Sequence, residues 1–141
     1  MRVLCLDIGN KKIGVAVSDE DKIIARGIGN ILRKGEEVKK ISELVEKYNP
    51  ESIVYGLPLR MDGSMSSQTE KSISFVSLLK ENIKIPFIPF DERLSSKQAD
   101  SILLEANLSR KKRKKVIDKL AAQIILQNYL DSQRDFQEEE F

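Results

Sequence analysis

The first 31 residues carry the apolar pattern of short strands joined by tight turns. Val3–Ile8 is almost continuously apolar, which predicts a strand buried on both faces. In Ile13–Ser18, Ile13, Val15 and Val17 alternate with smaller residues, and a third strand is expected over Ile23–Ile31. Gly9–Lys12 and Asp19–Asp21 connect these strands. Connections this short predict an antiparallel meander.

After Gly35 the apolar spacing becomes helical. A helix is predicted up to Asn49-Pro50, followed by a buried strand over Ser52–Leu57. A second helix is expected from about Ser67 to Asn82, with Ile73, Val76 and Leu79 facing inward. A strand then covers roughly Ile85–Phe90, and Pro89 predicts that it lies at a sheet edge or contains a bulge.

The remainder of the chain is predicted to be helical. Ser95-Ser96-Lys97-Gln98 has the form of a capping box and opens a helix to about Asn107. Ser109 is expected to cap a last helix that ends near Asp131. The fold class is therefore α/β, with a five-stranded mixed sheet and helices on both faces. One domain is expected over 1–132, with a frayed acidic tail over 133–141.

Composition narrows the chemistry. The 141 residues include no histidine and a single cysteine, which excludes histidine-dependent nucleophilic catalysis, the usual zinc centres and an internal disulfide. Cys5 is expected to be a buried small apolar residue. Any enzyme chemistry must use carboxylates, lysine, arginine, hydroxyls or an oxygen-bound metal such as Mg²⁺ or Mn²⁺. No apolar run is long enough to span a membrane, so a cytoplasmic protein is expected.

Three acidic positions stand out from their surroundings. Asp7 ends an apolar strand, where an unpaired carboxylate would be costly; the alternative is that it caps the turn. Asp118 shares a helical face with Ala122 and Ile125 while Gln127 lies opposite, and a salt bridge to Lys111 or Lys115 is the alternative.

The third position is one of two adjacent acids. Asp91 and Glu92 follow the last predicted strand, where α/β sheets usually bind ligands. Adjacent strand residues point to opposite sides, so one of the pair is expected to face the site, and Glu92 is preferred over Asp91. Three clustered acids repel one another unless cations neutralise them, and two Mg²⁺ ions would also support phosphodiester hydrolysis.

Positive charge is concentrated in one run. Residues 110–115 read RKKRKK, and without those six the chain would carry 18 basic against 22 acidic residues. The candidate nucleic-acid contacts are Lys11, Lys12, Arg60, Arg93, Arg110, Lys111, Lys112, Arg113, Lys114 and Lys115. The run could instead be a solvated face. Because aromatic residues make up only 6% of the chain, base stacking is not expected to dominate binding.

Four motifs in order resemble the YqgF/RuvX family, bacterial proteins assigned to pre-16S ribosomal RNA cleavage and to Holliday-junction-resolvase-like roles. They are LDIGNKKIGVAVSD from Leu6, VYGLPLRMDGSMS from Val54, DERLSSKQA from Asp91 and VIDKLAAQIILQNYL from Val116. The resemblance spans about residues 2–131. Asn10, where threonine is frequent, and Pro89 depart from the common pattern.

The resemblance implies a ribonuclease-H-like fold, acids at Asp7, in the Asp91-Glu92 pair and at Asp118, and a role in maturing the 5′ end of 16S ribosomal RNA. Branched DNA is the alternative substrate, and the chain is expected to be a monomer or a homodimer. Two rival functions are a non-catalytic RNA-binding ribosome-assembly factor and an ATPase. The ATPase interpretation rests on the Asp7-to-Gly14 spacing. Such ATPases need two similar domains around the nucleotide, and this sequence contains one copy of the motif.

Overall fold

The computed structural model describes the backbone of residues 1–91 and 110–139 and the side chains of 1–91 and 120–134. The elements are β1 (Val3–Ile8), β2 (Lys12–Ser18), β3 (Ala25–Leu32), α1 (Glu37–Tyr48), β4 (Ser52–Leu57), α2 (Ser67–Asn82), β5 (Phe87–Asp91) and α3 (Arg110–Glu139). Within these ranges no helix is both long and apolar enough to cross a bilayer. The predicted helix to Asn107 and the Ser95 and Ser109 caps lie outside the described residues.

The five strands form one mixed sheet in the order β3-β2-β1-β4-β5. β1, β2 and β3 pair antiparallel as the predicted meander, whereas β4 runs parallel to β1 and β5 runs parallel to β4. β5 is therefore an edge strand, as Pro89 predicted, and Pro89 is exposed there. An edge position accommodates proline because its missing N–H leaves no ladder bond unmade.

Strand alternation divides the core into two layers. Leu4, Leu6 and Ile8 of β1 pack with α1 and α2 on one face, while Val3 and Cys5 pack with α3 on the other. The α3 layer is built from small and aliphatic helix residues: Ala122, Ile125, Leu126 and Leu130. Cys5 is fully buried, as predicted.

Local signals explain the helix ends. Asn49 ends α1 in the left-handed conformation with φ of 46°, and its N–H donates to the Val45 carbonyl. Ser66 caps α2 by accepting from the Thr69 N–H, and the Thr69 side chain accepts from the Ser66 N–H in return.

Two sequence predictions, the inward direction of Ile73 and the end of the last helix, were wrong. Ile73 is exposed rather than inward, because the face of α2 that meets the core runs through Phe75, Val76 and Leu79. Gln127, which helical spacing placed opposite the Asp118 face, contacts the edge of the sheet: its Oε1 accepts from the Ala25 N–H of β3 and its Nε2 donates to the Ile23 carbonyl just before β3. The last helix continues to Glu139 instead of ending near Asp131, since no glycine or proline interrupts the sequence there.

Candidate active site

Asp7 lies near the carboxyl end of β1, on the face that α3 covers. Alternation along β1 puts it on the same side as Val3 and Cys5, and its side chain is half-buried. It pairs with Gly14 of β2 in the antiparallel register. The polar end of an otherwise apolar strand is thus directed into the interface between sheet and helix.

Gly14 provides the space beside this carboxylate. A methyl group at position 14 would lie 3.5 Å from each of three atoms: the Asp7 Cβ, the Ala122 Cβ and the Asn30 Oδ1. These three residues come from β1, α3 and β3, and they converge on the place at Gly14 where another residue would carry its side chain. The close approach of α3 follows from the small side chains at Gly14 and Ala122.

Asn30 is a site residue that the sequence pattern did not single out. It pairs with Gly14 in the β2–β3 register, and its exposed side chain lies across Gly14 from Asp7. The register shifts between Val15 and Ala16, which leaves Ile28 as an extra residue on β3. The one available signal was an asparagine in a strand, a position that strand propensity disfavours.

Asp118 belongs to α3, four residues before Ala122. Residues four apart occupy the same face of an α-helix, so position 118 lies one turn along from the residue that meets Gly14. The side chain of Asp118 lies outside the described residues.

Asp91 is placed on the other face of the sheet. It pairs with Leu57 in the parallel β4–β5 register and is exposed, while Phe90 packs in the α3 layer against Tyr129, with ring centroids 6.2 Å apart. Asp91 and Asp7 are therefore on opposite faces. Glu92, the preferred acid, lies outside the described residues.

The candidate cations are distributed around the carboxyl ends of β1 and β4. Lys11 is exposed in the β1–β2 turn, Lys12 is the half-buried first residue of β2, and Arg60 is exposed in the loop after β4. Residues 110–115 form the first turns of α3, and their side chains, like the whole of Arg93, lie outside the described residues.

Oxygen ligands for a divalent ion are present only in part within the described region. Among its side chains, no three Asp, Glu, His or Cys residues are grouped so that they could hold a metal. That statement does not reach Glu92 or Asp118. A hard cation is compatible with Asp7, because Asp7 is a half-buried carboxylate beside Gly14, which has no side chain of its own.

Comparison with known proteins identifies the family. A family model described as "RuvX: Holliday junction resolvase" matches residues 1–132. A relative from Caldanaerobacter subterraneus subsp. tengcongensis, named "Putative pre-16S rRNA nuclease", is 55% identical over 138 residues, covering 96% of this chain and 99% of its own. A relative of the same name from Clostridium acetobutylicum is 51% identical over 134 residues, covering 94% and 99%.

Solved structures agree on the fold. The chain is similar to T. thermophilus RuvC in complex with a Holliday junction substrate, with a TM-score of 0.56, 15% identity and coverage of 95% of this chain and 96% of the other. It is also similar to fowlpox virus resolvase bound to Holliday junction DNA, with a TM-score of 0.52, 16% identity and coverage of 94% and 98%. The predicted ribonuclease-H-like fold is confirmed, and the chain belongs to the RuvX family of nucleases.

Proposed function

We propose that this protein is a Mg²⁺- or Mn²⁺-dependent nuclease that acts in 5′-end maturation of the 16S ribosomal RNA precursor in the cytoplasm. The observation that carries the proposal is the position of Asp7: a half-buried carboxylate on the α3 face of the sheet, beside a glycine against which α3 packs. The pre-16S substrate comes from the names of relatives that align with nearly the whole chain.

Asp7, Glu92 and Asp118 are the proposed metal ligands and catalytic residues. Position 118 is one helical turn from Ala122, and Ala122 meets the same glycine as Asp7. Asp91 faces the other side of the sheet, so the next residue of a continuing strand, Glu92, would face the Asp7 side. This argument favours Glu92 over Asp91.

The bound metal would activate a water molecule and stabilise the leaving oxygen of the phosphodiester. The chain's own residues orient the substrate: Lys11, Lys12 and Arg60 surround the carboxyl ends of β1 and β4 and can pair with phosphates. Arg93 and the run Arg110–Lys115 are proposed to extend this phosphate-binding surface.

The direct test compares wild type with Asp7→Asn on a 5′-extended 16S precursor and on a four-way DNA junction, with Mg²⁺ and with EDTA. Loss of a metal ligand should reduce cleavage by about 100-fold or more, beyond the 10–100-fold typical of residues that only support a ligand. Asp21→Asn removes a carboxylate that is exposed in the β2–β3 turn, and should cleave like wild type.

Equal metal-dependent cleavage by Asp7→Asn and wild type would point to a contaminating nuclease and overturn the assignment. Tight binding to the precursor without cleavage by any form would instead support a non-catalytic assembly factor. Preferential cleavage of the junction, together with a homodimer in solution, would favour the resolvase alternative, because symmetric cleavage of a junction needs two sites.

A further inference from the structure

The two carbonyl groups that follow Asp7 are both held from outside the β1–β2 turn. The Gln68 Nε2 donates to the Ile8 carbonyl oxygen at 3.3 Å, and the Arg33 Nη1 donates to the Gly9 carbonyl oxygen at 3.0 Å. Gln68 is the second residue of α2, and Arg33 directly follows β3. Side chains from two separate elements thus hydrogen-bond to the backbone one and two residues beyond the proposed metal ligand.

Arg33 is itself held in place. Its guanidinium carbon lies 4.6 Å from the centroid of the Phe75 ring, and Phe75 is a residue of α2 that is buried in the core. Its backbone N–H donates to the Lys11 carbonyl at 3.0 Å. The guanidinium is thus stacked on a buried ring and bonded to the Gly9 carbonyl, while the Arg33 backbone is bonded to Lys11. Arg33 therefore has little freedom to move away from the turn.

These contacts are more than the turn needs for closure. The Gly9 N–H already donates to the Lys12 carbonyl at 3.0 Å, which closes the connection between β1 and β2. The turn is so tight that a Cβ at Gly9 would lie 2.7 Å from the Lys12 oxygen. The added bonds tie this closed turn to α2 and to the core, and so restrict movement of the whole turn relative to the sheet.

We propose that Arg33 and Gln68 are positioning residues for Asp7, acting through the Gly9 and Ile8 carbonyl groups; this rests on the proposed metal-dependent nuclease function. A metal ligand must be held within about 0.5 Å of its productive place, and an error near 1 Å costs about 100-fold in rate. The β1–β2 turn is the segment whose movement would displace Asp7 most directly.

Arg33 also borders an open groove of about 860 Å³ with Asn10, Lys71 and Glu70, so a direct contact with substrate phosphate is the competing role. Kinetics separate the two roles. A positioning residue affects kcat and metal affinity, whereas a phosphate contact affects KM for the nucleic acid.

The experiment uses Arg33→Gln, Arg33→Lys and Gln68→Ala in the full chain. For Arg33→Gln we expect kcat to fall about 10- to 100-fold with KM unchanged, and the protein's affinity for Mn²⁺ alone, measured by calorimetry, to fall about 10-fold. Arg33→Lys should recover part of both losses, because lysine keeps a cation over Phe75 and one N–H donor toward Gly9. Arg26→Gln removes an exposed arginine at the opposite end of β3, away from the β1–β2 turn, and should match wild type.

A raised KM with unchanged kcat and Mn²⁺ affinity would overturn the proposal in favour of a phosphate contact, and unchanged values throughout would show that the turn holds Asp7 unaided. If Arg33→Gln does not fold, Gln68→Ala tests the same pattern through the Ile8 carbonyl. Asp7→Asn, measured in parallel, separates failure of the proposed nuclease function from failure of the proposed positioning role. An active Asp7→Asn defeats the nuclease assignment, whereas an inactive Asp7→Asn beside a wild-type-like Arg33→Gln and Gln68→Ala defeats only the positioning role.

Discussion

Gly14 faces Asp7 across the β1–β2 pair, and a methyl group added at position 14 would touch the Asp7 Cβ at 3.5 Å. The same methyl would touch Ala122 of α3 at the same distance. A glycine in the middle of a strand is normally unfavourable because it loses conformational freedom and packs nothing. Here it sets the distance between a sheet, a helix and a carboxylate.

Substitutions at Gly14 should separate packing from activity. Gly14→Ala makes contacts of ordinary length, so its free energy of unfolding should stay within about 1 kcal/mol of wild type. Gly14→Val adds atoms toward Ala122 and Asp7 and should cost about 1–3 kcal/mol while displacing α3 from Asp7. We expect cleavage by folded Gly14→Val to fall, measured together with urea denaturation.

Ala16→Val is the matched control for that experiment. Ala16 is buried in the same α3 layer, two residues along β2, so overpacking there should destabilise the fold comparably without crowding Asp7. Full activity in Gly14→Val, or equal loss of activity in both variants, would contradict a specific role for the space at position 14.

Gln127 should be important for the edge of the sheet. Its Oε1 accepts from the Ala25 N–H at 2.9 Å and its Nε2 donates to the Ile23 carbonyl at 2.9 Å, while Gln123 accepts from the Gly27 N–H at 3.0 Å. Gln127→Ala leaves the Ala25 N–H of β3 and the Ile23 carbonyl just before β3 without these partners and should cost about 1–3 kcal/mol. It should also raise self-association, since an unprotected edge strand can pair with another chain.

Urea denaturation and light scattering measure both effects of Gln127→Ala. Gln133→Ala is the control, because Gln133 is an exposed glutamine on the same helix. If the two variants had equal stability and remained equally monodisperse, the amide contacts to β3 would have no protective role.

The basic run at the start of α3 should contribute salt-dependent affinity. Replacing residues 110–115 by glutamine removes six positive charges. If all six contact phosphates of single-stranded RNA, the slope of log K against log salt should decrease by about 4, at roughly 0.7 per contact. Filter binding across a salt series measures the slope, and unchanged affinity at low salt would reduce the run to a solvated face.

Asp19 should give the fold a defined response to acid. The N–H groups of Ile24 and Ile23 donate to its carboxylate, and these bonds hold the pKa of Asp19 below its ordinary value of 3.8. A lowered folded pKa means that the ionised group stabilises the fold above the ordinary pKa, and that this stability is lost as pH falls through the lowered value. Urea denaturation from about pH 6 to about pH 2 should therefore show Asp19→Ala less stable than wild type near neutrality and the two converging in acid. A constant difference across that range would contradict the assignment.

The elements with strong local signals were predicted closely. Ser52–Leu57 and Ser67–Asn82 have the predicted bounds, because proline, a left-handed asparagine and a serine cap mark where these segments begin or end. Ile73 was misassigned, and the contacts of Gln127 with the edge of the sheet were not predicted, for one reason. Helical spacing identifies residues that share a face, but the partner packed against the helix decides which faces are covered.

The sequence by itself determined the antiparallel meander, the parallel crossovers and the absence of histidine chemistry, since each follows from residue type and local periodicity, and on the same grounds it predicts Asp7 as a metal ligand. Tertiary structure decided the two-layer core, the placement of Asp91 on the face away from Asp7, and the convergence of Gly14, Asn30 and Ala122 beside it. These relationships depend on strand register, on the bulge at Ile28 and on how closely α3 approaches the sheet. Such features arise from contacts between residues far apart in the chain, which a local pattern does not encode.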